Sequence, residues 1–124
     1  MKYLLDTNIF IWWVENDKKL TSDWRAEISS PQNIVIVSVV SAWEMSIKMR
    51  KRKLKLKTTW EDCFDNLEFD SLDITLGHLG EFHKLPLLHK DPFDRMLVAQ
   101  ARVEECTLIT SDIKLKEYNV PTLD

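Results

Sequence analysis

The stretch NIVIVSVVSAWEMSIKM, residues 33–49, changes its hydrophobic period halfway along and thereby indicates an α/β fold. Residues 34–37 are consecutive β-branched residues, which is typical of a strand covered on both faces of a sheet. From Ser38 onward the apolar residues recur at helical spacing and mark one broad face: Val39, Val40, Trp43, Ile47 and Met49. A buried strand that leads directly into a helix is the repeating unit of a parallel sheet covered by helices.

The rest of the chain repeats this alternation of strands and helices. Further strands are predicted at residues 3–5, 69–74, 107–110 and 120–123, the last one at a sheet edge. Helices are predicted at residues 7–20, 21–30, 58–69, 75–85 and 91–105, with a short one at 111–118. The clearest is 91–105, where Asp91 is placed as N-cap and Pro92 at the first helical position. We therefore expect a single domain over residues 1–124, a three-layer α/β/α sandwich around a mainly parallel sheet.

Composition excludes several classes of protein. Of the 124 residues, 44% are hydrophobic and 30% charged, as in ordinary globular proteins, and two glycines are too few for a glycine-rich phosphate loop. Cys63 and Cys106 lack a C-x-x-C partner and are expected to be reduced thiols. The apolar start is interrupted by Asp6, and no stretch is long enough to span a membrane. A cytoplasmic protein with no membrane contact is expected.

Four acidic residues fall where the carboxyl ends of strands are predicted. Asp6 directly follows the first strand, and Asp112 follows residues 107–110 with one residue between. Glu44 lies in the second turn of the helix after residues 33–37, at the margin of its apolar face, and Asp94 lies in the first turn of the 91–105 helix. Ligands of parallel sheets bind at this edge, so we expect the four carboxylates to converge.

Such a cluster points to metal chemistry. Four anionic side chains in one cleft repel one another, and the burial of even one ionised carboxylate is costly. Divalent cations make the cluster tolerable, and hard oxygen ligands with few histidines favour Mg²⁺ or Mn²⁺. A metal held in this way activates water and stabilises the oxygens of a phosphodiester. The predicted reaction is metal-dependent hydrolysis of phosphodiester bonds.

Each acid also has a purely structural interpretation. Asp6 and Asp112 are placed where a helix N-cap is needed, and Asp94 is placed as the acid of a capping box that Asp91 begins. Glu44 is harder to explain in this way, although its side chain can reach water from the margin of an apolar face. The occurrence of all four acids near predicted strand ends favours a functional site over four separate structural roles.

Several stretches resemble one known family. They are LLDTNIFIWW (4–13), SAWEMSIK (41–48), HKDPFDRMLVAQA (89–101) and LITSD (108–112), of which the third is the most specific. The chain resembles a PIN-domain ribonuclease, and in particular the VapC-type toxins of bacterial and archaeal toxin–antitoxin pairs. The resemblance covers essentially the whole chain. It implies a PIN-like α/β/α fold, Mg²⁺- or Mn²⁺-dependent endoribonuclease activity and inhibition by a cognate antitoxin protein.

The resemblance also implies roles for individual residues. Asp6, Glu44 and Asp94 match the family's core acidic triad, and Asp112 matches its more variable fourth acid. Supporting or substrate-contacting roles are implied for Thr7, Asn8, Thr110 and Ser111, while Asp91 and Arg95 are interpreted as structural. Two departures stand out: relatives often have glycine at the position of Arg52 and commonly histidine at that of Asn8. Neither departure changes an acid.

A basic segment and three tryptophans suggest contacts with partners. Residues 48–57 hold seven of the 17 basic residues, and an acidic segment follows them. The candidates for RNA binding are Lys48, Arg50, Lys51, Arg52 and Lys53, although cations at a helix C-terminus also favour its dipole. Trp12, Trp13 and Trp43 are expected in the core. Because Trp12 and Trp13 point about 100° apart on a helix, one of them is a candidate anchor for an antitoxin or for a homodimer or higher assembly.

Three rival functions fit parts of this pattern. A phosphoacceptor receiver domain needs paired acids after its first strand, whereas this chain has Asp6 alone there. A catalytically silent PIN-like module that binds RNA or protein stays open, although none of the triad acids is lost. Cleavage of DNA is also chemically possible with the same metals, and RNA is preferred here because of the family resemblance.

Overall fold

The computed structural model describes residues 1–123 and has a central five-stranded sheet in which every strand pair is parallel. The strands are β1 (Lys2–Leu5), β2 (Ile34–Ser38), β3 (Asp70–Leu72), β4 (Thr107–Ile109) and β5 (Thr122–Leu123). Their order is β3-β2-β1-β4-β5, so β1 lies at the centre between β2 and β4. The predicted parallel sheet is confirmed.

Helices cover both faces of this sheet. They are α1 (Thr7–Glu15), α2 (Ser22–Ser29), α3 (Val39–Arg50), α4 (Trp60–Asp65), α5 (Leu76–Lys84) and α6 (Pro92–Val103), with a 3-10 helix at Ile113–Glu117. The sheet alternates its side chains between two apolar clusters: Leu4 packs with α6 on one face, and Leu5 packs with α1, α2 and α4 on the other. The α/β/α sandwich is thus confirmed. Within residues 1–123, no helix has the length and apolarity that a membrane span requires.

Helix boundaries follow the local capping chemistry. Helix α1 ends at Glu15, earlier than the predicted 7–20, because Asn16 adopts the left-handed conformation with φ 52°. Helix α6 begins as predicted, since the Asp91 carboxylate accepts hydrogen bonds from the main-chain N–H groups of Phe93 and Asp94 at 2.8 and 3.1 Å. The short helix predicted at 111–118 is a 3-10 helix.

The turn after α3 explains one departure from the family pattern. Arg52 has φ 57°, a left-handed conformation in which glycine is the usual residue. Its N–H donates to the carbonyl of Met49 at 3.0 Å, and that of Lys53 donates to the carbonyl of Lys48 at 2.8 Å. This pair of bonds is the Schellman motif. The turn therefore has the geometry of a glycine-type helix end, with an arginine at the left-handed position.

The expectation that Trp43 lies in the core is wrong, because its side chain is 56% exposed. The buried residues of α3 are Val40, Ser41, Glu44 and Met45. The apolar residues predicted the wrong buried face of α3, because a serine and a glutamate occupy two of the four buried positions. Trp12 and Trp13 are both half-buried and pack against the cluster around Leu5.

Candidate metal centre

Asp6 is both a helix cap and part of a buried polar cluster. It follows β1 directly, and its Oδ1 accepts a hydrogen bond from the N–H of Thr7 at 2.7 Å. Its Oδ2 accepts a bond from the hydroxyl of Thr110 at 2.6 Å. The residue is only 3% exposed, and burial raises the pKa of its carboxyl to about 6. Repulsion from Glu44 and Asp112 adds to that rise, while the two hydrogen bonds oppose it.

Glu44 carries an oxygen that has no hydrogen-bond partner. The residue lies in the second turn of α3 and is 3% exposed. Its Oε2 forms an ion pair with the Nζ of Lys48 at 2.6 Å. Among residues 1–123, nothing donates a hydrogen bond to its buried Oε1. A buried oxygen without a partner costs free energy, so such an atom needs an explanation such as an ion.

His89 joins the two remaining acids. Its Nε2 lies 2.9 Å from Oδ2 of Asp94 and 3.2 Å from Oδ2 of Asp112. One potential ligand atom from each of the three residues lies within 4.8 Å of the other two. The His89 main-chain N–H donates to the hydroxyl of buried Tyr118 at 3.1 Å, which anchors the loop that carries it. The three side chains thus form a compact group of oxygen and nitrogen donors.

Asp94 is the most strongly perturbed acid of the cluster. Burial raises the pKa of its carboxyl to about 7, with further contributions from the negative charges of Asp6, Asp91 and Glu44. The hydrogen bond to His89 opposes this rise. The carboxylate bonds to His89 rather than back to the Asp91 cap, so a capping box does not account for its position. The raised pKa values of Asp6 and Asp94 show that negative charge is unfavourable at this place unless a cation is near.

The residues expected to support the acids fall into two pairs. Thr7 is buried, and its hydroxyl lies 2.9 Å from that of Ser41. Thr110 is also buried, donates to Asp6 and accepts a bond from the main-chain N–H of Asp112 at 3.0 Å. Asn8 and Ser111 are exposed instead. The structure therefore gives Thr7 and Thr110 contacts that hold the cluster, and it leaves the other two at the surface.

The basic segment reaches the site only in part. Lys48 pairs with Glu44, and together with Lys51, Lys53 and Lys90 it lines a groove of about 330 Å³, here named the lysine groove. Its other walls are Glu44, Ile47, Asp91, Pro92 and Phe93. Arg50 and Arg52 are exposed and do not line it.

Sequence reasoning missed His89 and Ser41. His89 stands two residues before the cap Asp91, within the most specific stretch of the resemblance, so its proximity to Asp94 was available as a signal. Ser41 lies on the same helix as Glu44, one turn earlier, and nothing in its residue type marks it.

The donor set fits a hard divalent cation. His89, Asp94 and Asp112 place donor atoms within 4.8 Å of one another, and the charges of Asp6 and Glu44 lie near enough to raise the pKa of Asp94. In addition, Oε1 of Glu44 is buried without a competing hydrogen bond among residues 1–123. Carboxylate oxygens are the preferred ligands of Mg²⁺ and Mn²⁺, and Mn²⁺ also accepts an imidazole. The residues present therefore fit such an ion, which also relieves their mutual repulsion.

Comparison with known proteins identifies a family. The sequence model described as "PIN domain" matches residues 3–121. No curated protein sequence matches the chain. The family expectation drawn from the sequence is thus confirmed over nearly the whole chain.

Solved structures share this fold at low sequence identity. VapBC2 from Rickettsia felis, bound to a DNA fragment from its promoter, gives a TM-score of 0.75 at 21% identity, covering 100% of this chain and 98% of that one. VapBC-1 from nontypeable Haemophilus influenzae gives a TM-score of 0.68 at 18% identity, covering 100% of this chain and 98% of that one. A toxin–antitoxin complex from Klebsiella pneumoniae gives 0.61 at 20% identity, with 90% and 88% covered.

Proposed function

This chain belongs to the PIN-domain family, and we propose that it is a metal-dependent endoribonuclease that acts as the toxin of a toxin–antitoxin pair. The observation that carries this proposal is the set of four acids that follow the strand ends. Asp6 and Glu44 are buried, and the partly exposed Asp94 and Asp112 share contacts with His89. Two of these carboxyls have raised pKa values, and a third has a buried oxygen without a hydrogen bond among residues 1–123.

We assign the four carboxylates as ligands of Mg²⁺ or Mn²⁺. When bound, such an ion lowers the pKa of water and stabilises charge on the oxygens of a phosphodiester. Thr110 holds Oδ2 of Asp6, and the N–H of Thr7 holds Oδ1, so this carboxylate keeps one orientation. A carboxylate that is already held in one orientation does not have to reorient when the substrate binds.

Two positive or polar groups keep the acids together. Lys48 offsets part of the charge of Glu44 and leaves the Oε1 atom free of that contact. His89 bridges Asp94 and Asp112 and fixes their separation. We propose that His89 positions these two carboxylates, with Lys48 the cation nearest to an incoming phosphate.

An antitoxin partner is proposed because the solved structures described above with this fold are complexes with antitoxins. The similar structures from three bacteria are described as VapBC or toxin–antitoxin complexes. We infer that this chain likewise binds a cognate antitoxin protein that blocks the cluster. A homodimer or a higher toxin–antitoxin assembly stays a prediction, which light scattering of the purified protein tests.

Cleavage of RNA by the purified chain tests the proposal. The wild type, Asp94→Asn and the matched surface variant Asp23→Asn are incubated with a structured RNA in Mg²⁺ or in EDTA. We expect cleavage by wild type and Asp23→Asn in Mg²⁺ only, and loss of cleavage in Asp94→Asn. Asp23 is an exposed first-turn residue of α2, so it controls for the change of charge.

Three outcomes contradict the proposal. Cleavage that persists in EDTA removes the metal from the account, and cleavage by Asp94→Asn at the wild-type rate moves the chemistry elsewhere or to a contaminant. A wild type free of antitoxin that binds but never cleaves RNA favours the catalytically silent module instead.

A further inference from the structure

The lysine groove combines positive charge with access to the acidic cluster. It lies between α3 and the first turn of α6, and Glu44 forms part of its wall. Within residues 1–123, Lys48 pairs with Glu44, whereas the ammonium groups of Lys51, Lys53 and Lys90 form no ion pair. The groove therefore presents three unneutralised cations beside the proposed catalytic centre.

An aromatic pair borders the same groove, with Trp43 exposed and Phe93 partly buried. Phe93 lines it, and Trp43 packs on Phe93 with ring centroids 4.8 Å apart and planes at 84°. The Trp43 side chain is 56% exposed, so most of its surface contributes nothing to the core. One turn along α3, Ile47 continues from Trp43 into the groove wall.

We propose that the lysine groove and Trp43 bind single-stranded RNA next to the cleaved bond, with phosphates along Lys51, Lys53 and Lys90 and one base stacked on Trp43. This rests on the proposed function, since the groove flanks the cluster that would cut the strand. Cationic tracks beside exposed aromatic rings are the usual means of binding single strands, because phosphates meet the cations and bases stack on the rings.

The aromatic contact selects for an unpaired strand. In an A-form duplex the bases are stacked on one another and cannot reach a side chain such as Trp43, although the phosphates still reach the lysines. An acidic peptide would also satisfy the lysines, but the stacking surface beside them favours a nucleic acid. The proposed contact with Trp43 thus requires an unpaired base beside the groove.

Fluorescence anisotropy with labelled RNA tests this surface. The probes are a single-stranded RNA of about ten nucleotides and a duplex of equal length, in EDTA so that no metal-dependent cleavage occurs. The groove variant carries Lys51→Ala, Lys53→Ala and Lys90→Ala. Its matched control carries Lys18→Ala, Lys19→Ala and Lys84→Ala, which remove the same charge at exposed sites outside the groove. Trp43→Ala is paired with Trp43→Phe, and thermal melts check folding.

We expect the groove variant to lower the slope of log affinity against log salt by about two, since each lost phosphate contact removes about 0.7. The control variant should keep the wild-type slope. Trp43→Ala should weaken binding of the single strand on the order of tenfold, with most of this restored in Trp43→Phe and little change for the duplex.

Three results would overturn the inference. They are equal effects of the groove and control variants, no effect of Trp43→Ala on the single strand, or displacement of RNA by polyglutamate at equal charge with no dependence on Trp43. The last result assigns the groove to an acidic protein. Failure of the proposed function looks different: the groove variants then weaken RNA binding as expected, while the wild type cleaves no RNA in Mg²⁺.

Discussion

Asp6→Asn should stabilise the metal-free protein in a pH-dependent way. Asn keeps an oxygen that accepts the Thr7 N–H, so the cap of α1 persists while the buried charge disappears. The pKa of the Asp6 carboxyl rises from 3.8 to about 6 on folding. The folded protein therefore binds the Asp6 proton more tightly than the unfolded chain does. As pH rises through this window, the free energy of unfolding of the wild type falls, whereas that of the neutral Asn variant does not.

The magnitude follows from the two pKa values. Once the group is ionised in both states, the cost is about 3 kcal/mol, at 1.36 kcal/mol for each pH unit of difference. About 0.5 kcal/mol of this cost is already present at pH 4, so the variant minus wild-type free energy of unfolding should increase by about 2.5 kcal/mol between pH 4 and pH 8. A thermal midpoint higher by roughly 10 °C at pH 8 corresponds to this change.

Urea denaturation in EDTA at a series of pH values measures this difference. The altered contact with Thr110 adds an offset that does not vary with pH, so only the change across the series is interpreted. Asp23→Asn, at an exposed site in α2, should change stability by less than about 0.5 kcal/mol throughout. A difference for Asp6→Asn that is flat from pH 4 to pH 8 would refute the claim that this carboxyl is destabilising when ionised.

The other predictions concern the metal, the turn and the core. Addition of Mg²⁺ at pH 8 should raise the thermal midpoint of the wild type, with about 2.7 kcal/mol of stabilisation at a hundred times Kd, and should leave Asp94→Asn unchanged; equal shifts in both proteins would place the ion elsewhere. Arg52→Gly should stabilise the protein by up to about 1 kcal/mol in urea denaturation, since φ is 57° there, and a loss of stability would contradict the strain. Leu108→Ala, at a fully buried position in β4, should cost about 2–5 kcal/mol of unfolding free energy, and a cost below 1 kcal/mol would contradict tight packing.

The sheet was predictable because its signals are local. The β-branched run of β2 and the N-cap of α6 each specify one element from adjacent residues. The placement of acids after strand ends then followed from the parallel topology alone. Two features were not predictable from local signals: the order of the strands and the contact between Asp6 and Thr110. Both depend on which strands pair, and in particular on the pairing of β1 with β4.

The errors share one cause. Trp43 was expected in the core because hydrophobic residues usually are, yet α3 buries Ser41 and Glu44 in its place. His89 was passed over because a loop histidine has no periodicity, and only the folded chain brings it between Asp94 and Asp112. Sequence patterns report burial by residue type, so a functional site that buries polar groups misleads them.

Cleavage of a phosphorothioate RNA tests the central claim most directly. A single sulfur replaces one non-bridging oxygen at a mapped cleavage site, and each of the two stereoisomers is incubated with the wild type in Mg²⁺ or in Mn²⁺. Mg²⁺ binds sulfur poorly, whereas the softer Mn²⁺ accepts it. If the carboxylate cluster holds an ion against the cleaved phosphate, one stereoisomer should resist cleavage in Mg²⁺ and be cut again in Mn²⁺. Cleavage of both stereoisomers in Mg²⁺ at the rate of the unmodified RNA would contradict the account.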